Sequence, residues 1–405
     1  MSLKWCLAVA GLIATAGIHS ASQSPVLLPQ PVATPAAAQS AQPQLSTSKQ
    51  GVLLSWIERS GDLATLKFSE RTATGWTTPR TIASGRDWFV NWADVPSALR
   101  LPSGAIVAHW LQKSGPSTYA YDVRLSHSTD DGKTWSPSYL PHSDGTQTEH
   151  GFASLFPMGE GFGLVWLDGR AMKSGGGHDG EHGGGAMSVR FGQFDKHFKQ
   201  VAETAVDTRV CECCPTAAVA TAEGVITAYR DRSEAEIRDN YVARFVNGKW
   251  SAPKPVFNDN WKIAACPVNG PALAANGRSV AMTWFTAKQD QGQAYLAFSD
   301  DAGATFGNPI RVDDGGSLGR VDVELLPDGA ALATWIEFDD RAQFRARRID
   351  RNGTRSAPVT ISGLAGNRSS GYPRAAIANG EIVFAWTEAA DGGGLQVRTA
   401  VARIP

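Results

Sequence analysis

Three cysteines fall within four residues in "RVCECCP" (Cys211, Cys213, Cys214), and a fourth, Cys266, follows in "AACPVNG". Thiols at this spacing support two chemistries. They can pair as disulfides, which four cysteines do in three ways, or their thiolates can hold a soft metal such as Cu(I) or zinc. A bridge between adjacent Cys213 and Cys214 would be strained, so an oxidising location favours Cys211–Cys214 with Cys213–Cys266. The stretch "HDGEH" puts His178 and His182 in a Gly-rich loop that could assist a metal. Arginines, carboxylates and aromatics are concentrated in a few long segments, among them "SGRDWFVNWADVPS", "HSDGTQTEHGFAS", "DGRAMKSGGGHDGEHGGG" and "RDRSEAEIRDN". Gathered at one place, these residue types make a binding site.

What gathers them is a repeat. An apolar run ending in an aromatic, often with an acid two residues on, occurs seven times. The copies are "VLLSWIE", "AIVAHWLQ", "GLVWLDGR", "VITAYRDR", "VAMTWFTA", "ALATWIEF" and "IVFAWTEA". Their aromatics are Trp56, Trp110, Trp166, Tyr229, Trp284, Trp335 and Trp386, spaced 51 to 63 residues apart. A period near 50 signals a repeat architecture. The runs are short, β-rich and bounded by turn residues, so they are strands. Each has a strand and Gly turn before it and an alternating strand after it, then a "W/F-S/G-x-P" segment. Four strands per period is the content of one propeller blade. The predicted fold is therefore an all-β propeller of four-stranded blades, with seven blades favoured over six. The last copy stops at its third strand, so the apolar patch "PVLLPQPV" at 25 to 32 is expected to supply the missing one and close the ring.

The turn "STDDGKTW" (128–135) and its copy "SDDAGATF" (299–306) join third strands to fourth strands. Asp carboxylates can accept backbone N–H bonds there, Gly132 permits a positive φ, and Trp135 can bury its ring between sheets. The expected role is structural. In an antiparallel meander these turns lie on the face opposite the blade-to-blade connections and second-to-third loops, where the chemically rich segments are. Ser-x-Asp-x-Gly-x-Thr-Trp resembles the Asp-box, or BNR repeat, of the sialidase superfamily, and the repeat resemblance runs over residues 44–405.

That resemblance implies a set of roles. Sialidases hold a substrate carboxylate with arginine forks, whose geometry matches it, and use a Tyr nucleophile, a Glu partner and an Asp acid/base. "EGVITAYRD" is similar to the family strand ending in an arginine and nominates Arg230. "SSGYPRAAIANGEIVFAW" resembles the nucleophile segment and nominates Tyr372; "YAYDVRLSHSTDDG" resembles the acid/base stretch, one residue out of register, and nominates Asp122. Glu212 and Glu149 are candidates for the Glu, and Arg320 and Arg374 could complete the arginine cluster. In "WADVPSALRLPSG", which contributes Trp92, Asp94 stands where the family has an arginine. An acid there would repel a sialic acid carboxylate, so the expected ligand is another glycan or a small acidic molecule. The alternative reading is a non-catalytic binding propeller with a disulfide or metal-binding cysteine cluster. No organic cofactor is expected.

The N-terminus has Lys4, the apolar run "WCLAVAGLIATAG" with Cys6, and small residues after it, which describes a secretory signal peptide over 1–21. Its run is too short to span a bilayer comfortably. Residues 22–43, rich in Pro, Ala, Gln and Ser, read as a linker before a propeller over 44–405. The expected location is periplasmic or secreted, with no membrane span after cleavage. A net charge of -1 over 405 residues argues against nucleic acid, which requires a basic surface.

Overall fold

Seven antiparallel sheets follow one another along the chain in a computed structural model, which describes Met1 and residues 27–172, 185–390 and 393–404. They are the seven blades of a β-propeller. The leader expected at 1–21, with Cys6, and the loop histidines His178 and His182 lie outside the described residues. The innermost strands, from blade 1 to blade 7, are Ser40–Ser48, Ser97–Arg100, His150–Met158, Ala217–Thr221, Ala272–Asn276, Ser317–Leu325 and Arg374–Ala378. Each pairs with the following strand, which carries the repeat aromatic. No helix among the described residues is long and apolar enough to cross a membrane.

The repeat motif has a physical cause. Trp56, Trp166, Trp284 and Trp335 are almost wholly buried between blades. A buried indole N–H requires an acceptor. The acid two residues on supplies it: Trp56 donates to Glu58, Trp166 to Asp168, Trp335 to Glu337 and Trp386 to Glu388, each at 2.9 Å. Blade 5 has Thr286 at the acid's position, and there Trp284 donates to Asp259 of the incoming connection at 2.9 Å. In blade 4 the Tyr229 hydroxyl donates to Asp207 at 2.7 Å. In blade 2 the acid is replaced by Gln112; the Trp110 N–H has no partner, and the ring stacks on Trp88 at 5.5 Å.

The ring closes as the apolar patch suggested. Gln30–Val32 is the outer strand of blade 7, paired with Leu395–Arg403. Leu27 is buried against Leu326, Phe344 and Phe384. The stretch read as linker, 22–43, therefore contains the closing strand and the start of the first inner strand, Ser40–Ser48. Its Pro and Ala content masked an edge strand, the place where Pro is tolerated in a sheet.

The two Asp-box turns are built alike. Ser128 donates to Asp130 and accepts from the Gly132 N–H, both at 2.8 Å, while Asp130 accepts from the Thr134 N–H and hydroxyl. Ser299, Asp301, Gly303 and Thr305 repeat the pattern. Gly132 has φ +77°, and a Cβ there would lie 2.5 Å from Phe68 of blade 1; Gly303 has φ +81° and presses on Ile226 of blade 4. Trp135 meets Phe68 edge-on at 6.2 Å. Each box thus locks a blade to its predecessor. Arg100, at the far end of an inner strand, reaches Asp131 at 2.9 Å. This places the boxes on the face opposite the connections.

Candidate functional site

Every nominated residue among the described ones lies on the connection face, at or near an inner-strand start or a neighbouring strand end. They do not form one site. They divide into four groups around the mouth.

The first group joins blades 1, 6 and 7. Trp92 stacks on Tyr372, centroids 6.1 Å apart. The guanidinium of Arg320 lies 4.7 Å from the Trp92 ring, that of Arg368 5.9 Å from it, and that of Arg374 5.4 Å from the Tyr372 ring. Arg320 donates to the carbonyls of Asn367 and Gly371. Among the described residues neither Arg320 nor Arg368 has a carboxylate within ion-pair distance, and Arg374 has only Asp322, at 3.8 Å. Among the described residues the buried Nε of Arg374 has no hydrogen-bond partner. Burial, together with the Arg368 charge, pushes the Arg320 guanidinium below its ordinary range. Behind this group the inner strands enclose a cavity of about 210 Å³ lined in part by Asp322, Glu324 and Arg374.

Tyr372 does not have the surroundings of a nucleophile. It is buried, and its hydroxyl donates to the Val268 carbonyl at 2.7 Å. A carbonyl cannot take the phenolic proton, and burial raises the phenol further from ionisation, with Cys214 adding to the effect. Arg230 is likewise committed. Its Nε and Nη2 donate to the Asn269 carbonyl, its Nη2 also to Phe285, and its Nη1 to the Arg238 carbonyl, while the side chain lies over Trp261. These bonds tie blade 4 to blade 5. The guanidinium is 1% exposed, so the carboxylate-binding role inferred for Arg230 does not fit.

The second group centres on Tyr121. Its hydroxyl oxygen lies 2.8 Å from Asp94 Oδ2 and 2.8 Å from Glu149 Oε1. The Phe152 N–H donates to Asp94 Oδ1 at 2.7 Å. A phenol has one proton and cannot donate to both carboxylates, so one carboxyl must be protonated. Burial raises Asp94 to about 7, against the Tyr121 and Phe152 hydrogen bonds. The consistent arrangement is an Asp94 O–H donating to Tyr121, which donates to Glu149. Asp94, at the position of the family arginine, is wholly buried and serves this relay.

The third group was missed in the sequence. Asp122 does not face Tyr372. It faces His142 and His150, whose rings stack 3.9 Å apart, with Asp144 and Asp168 behind them. Asp168 is held bidentately by Arg170. The segment "HSDGTQTEH" contained both histidines, and the separation of eight residues that brings them together is set by a connection whose path no local pattern reveals.

The fourth group holds the cysteines. Glu212 accepts from Arg232 and, at 3.0 Å, from Arg238; Glu236 bonds the same two arginines. Glu212 therefore belongs to a buried ion-pair network and not to a Tyr pair. Arg238 also reaches Cys211 Sγ at 3.4 Å. Cys211 Sγ lies 3.0 Å from Cys214 Sγ and 3.7 Å from Cys213 Sγ. Among the described residues no sulfur pair is at bonding distance, so the expected Cys211–Cys214 and Cys213–Cys266 bridges are not seen. Burial pushes the Cys211 thiol up to about 11, while the neighbouring cysteines, Arg230 and the Asn269 N–H outweigh burial and hold Cys214 well below the usual thiol range.

No protein-family model matches the chain, and no curated protein matches it. Among solved structures, the chain is similar to a polysaccharide lyase at 10% identity, covering 89% of each chain with a TM-score of 0.56. A protein of unknown function from Dyadobacter fermentans is 15% identical, with 91% and 95% covered and a TM-score of 0.49. A Trypanosoma rangeli sialidase is 10% identical, with 82% of this chain and 57% of that chain covered and a TM-score of 0.46. The likeness is one of fold, a β-propeller.

Proposed function

We propose that the protein is an exported propeller that takes an anionic glycan at its mouth, through Arg320, Arg368 and Arg374 beside the Trp92–Tyr372 pair. The observation that carries this reading is the arginine group itself. Three guanidinium groups gather at two aromatic rings, with one carboxylate 3.8 Å away. Like charges held together destabilise one another, and an anion relieves the repulsion. Guanidinium forks match a sugar carboxylate or sulfate, and aromatic rings give a sugar an apolar surface. A polysaccharide lyase of the same fold offers a precedent for a glycan ligand.

The finer reading, a retaining glycosidase with Tyr372 as nucleophile, is less well supported, because the four candidate catalytic residues lie in separate groups. Tyr372→Phe separates the two. A nucleophile role requires glycosidase turnover to fall by several orders of magnitude. A binding role requires affinity for an acidic oligosaccharide to stay within about threefold, with stability lower by about 1 kcal/mol for the lost bond to Val268. The screen that tests the reading itself is binding of acidic and neutral oligosaccharides to the purified protein; exclusive binding of neutral sugars would overturn it.

A further inference from the structure

We propose that Asp122, His142 and His150 form a site for a borderline divalent metal ion of the zinc type. The three donor atoms lie within 4.8 Å of one another. Asp122 Oδ1 is 3.3 Å from His150 Nδ1 and 3.7 Å from His142 Nε2. Among the described residues neither nitrogen has a hydrogen-bond partner, although both histidines are buried. These separations are long for hydrogen bonds. The shorter matches the edge of a tetrahedral coordination polyhedron, about 3.3–3.6 Å when ligands sit about 2.0–2.2 Å from a metal, and the longer exceeds it slightly. Two imidazoles and a carboxylate are the donor set that such ions take.

The surroundings orient the lone pairs. His142 Nδ1 lies 3.0 Å from Asp144 Oδ1, which fixes the proton on Nδ1 and turns the Nε2 lone pair toward Asp122. His150 Nε2 has Asp144 at 3.4 Å and Asp168 at 3.8 Å behind it, which favours the proton there and leaves Nδ1 free to ligate. Carboxylates behind both metal-facing imidazoles are the usual outer support of a histidine site. Charge points the same way. Arg170 compensates Asp168 and reaches Asp144 at 3.5 Å, but it also bonds Glu203. Among the described residues Asp122 has no arginine or lysine partner, only the two imidazoles. Asp168 is occupied by Arg170 and by the Trp166 N–H, so the second trio, Asp144 with His150 and Asp168, is the weaker ligand set.

The site is distinct from the cysteines, so the test must separate them. The full chain is stripped with chelator and titrated calorimetrically with Zn²⁺, then loaded with Co²⁺ for absorption spectra, as wild type, His150→Gln, Asp144→Asn and Cys211→Ser. The expected result is one equivalent that His150→Gln removes, Asp144→Asn weakens about 10- to 100-fold, and Cys211→Ser leaves in place, with a Co²⁺ spectrum free of thiolate charge-transfer bands for that equivalent. Circular dichroism checks that each variant folds. If His150→Gln does not fold, the wild-type Co²⁺ spectrum decides: a spectrum showing only thiolate ligation overturns the proposal. So does a folded His150→Gln that keeps every equivalent, or a wild type that binds no ion.

Discussion

The proton that burial holds on Asp94, beside Tyr121 and Glu149, makes the pH response of this protein a residue-scale question. Asp94 titrates near 7 in the fold and near 3.9 in an unfolded chain. The folded state thus retains a proton that the unfolded state releases. The contribution to stability is fully present below about pH 4 and is lost as pH rises toward 7. It is on the order of a few kcal/mol. Asp94→Asn keeps the shape and removes the titration, so the variant's melting temperature should depend less on pH between about 4.5 and 7.5 than the wild type's. Parallel curves would show that Asp94 is already ionised in the fold. At this scale the sequence was only partly legible. Asp94 stood out because it stands where the resembled family has an arginine, but its partner Tyr121 lies 27 positions away, at the start of the blade's third strand. Arg230 was visible at a strand end, whereas the Asn269 and Phe285 carbonyls that consume it belong to the next blade.

Elements were far more legible, because a blade writes its structure into consecutive residues. A repeated aromatic marked each central strand, and in four of the seven the acid two residues on proved to be the acceptor for the indole. The Asp-box was readable for the same reason, since the hydrogen bonds that shape its turn fall within a few residues. Its fit against the preceding blade was not, and it yields a prediction. Gly132→Val would place a branched side chain at φ +77° with Cβ 2.5 Å from Phe68. The expected cost is about 2–4 kcal/mol from backbone strain and overpacking, read by chemical denaturation, with ligand affinity unchanged because the turn is on the opposite face. A folded variant that lost affinity would mean that the faces are reversed. The closing strand gives a second prediction. Deleting residues through Thr34 exposes the edge of Leu395–Arg403 and removes Leu27 from its pocket. Losing that leucine alone should cost about 1.5–3 kcal/mol, lowering the melting temperature. An unchanged midpoint would show that the closure contributes nothing.

For the whole molecule, seven blades bring loops that are far apart in sequence to one mouth, and there the account makes its central claim. Trp92 comes from one connection, Arg368 and Tyr372 from another, and Arg320 from the inner strand of blade 6, and only ring closure brings them together. Arg368 was therefore overlooked, and the arginines were assigned to the wrong centre around Arg230. The most direct measurement is a calorimetric titration of wild type and Arg374→Ala with a uronate-containing oligosaccharide and its carboxyl-reduced counterpart. The wild type should prefer the acid by at least about tenfold, the scale of one charged hydrogen-bonded pair, and Arg374→Ala should largely erase that preference while leaving the neutral sugar unaffected. Equal affinity of the wild type for the two sugars, or an acid preference that survives in a folded Arg374→Ala, would contradict the claim that this mouth recognises an anion.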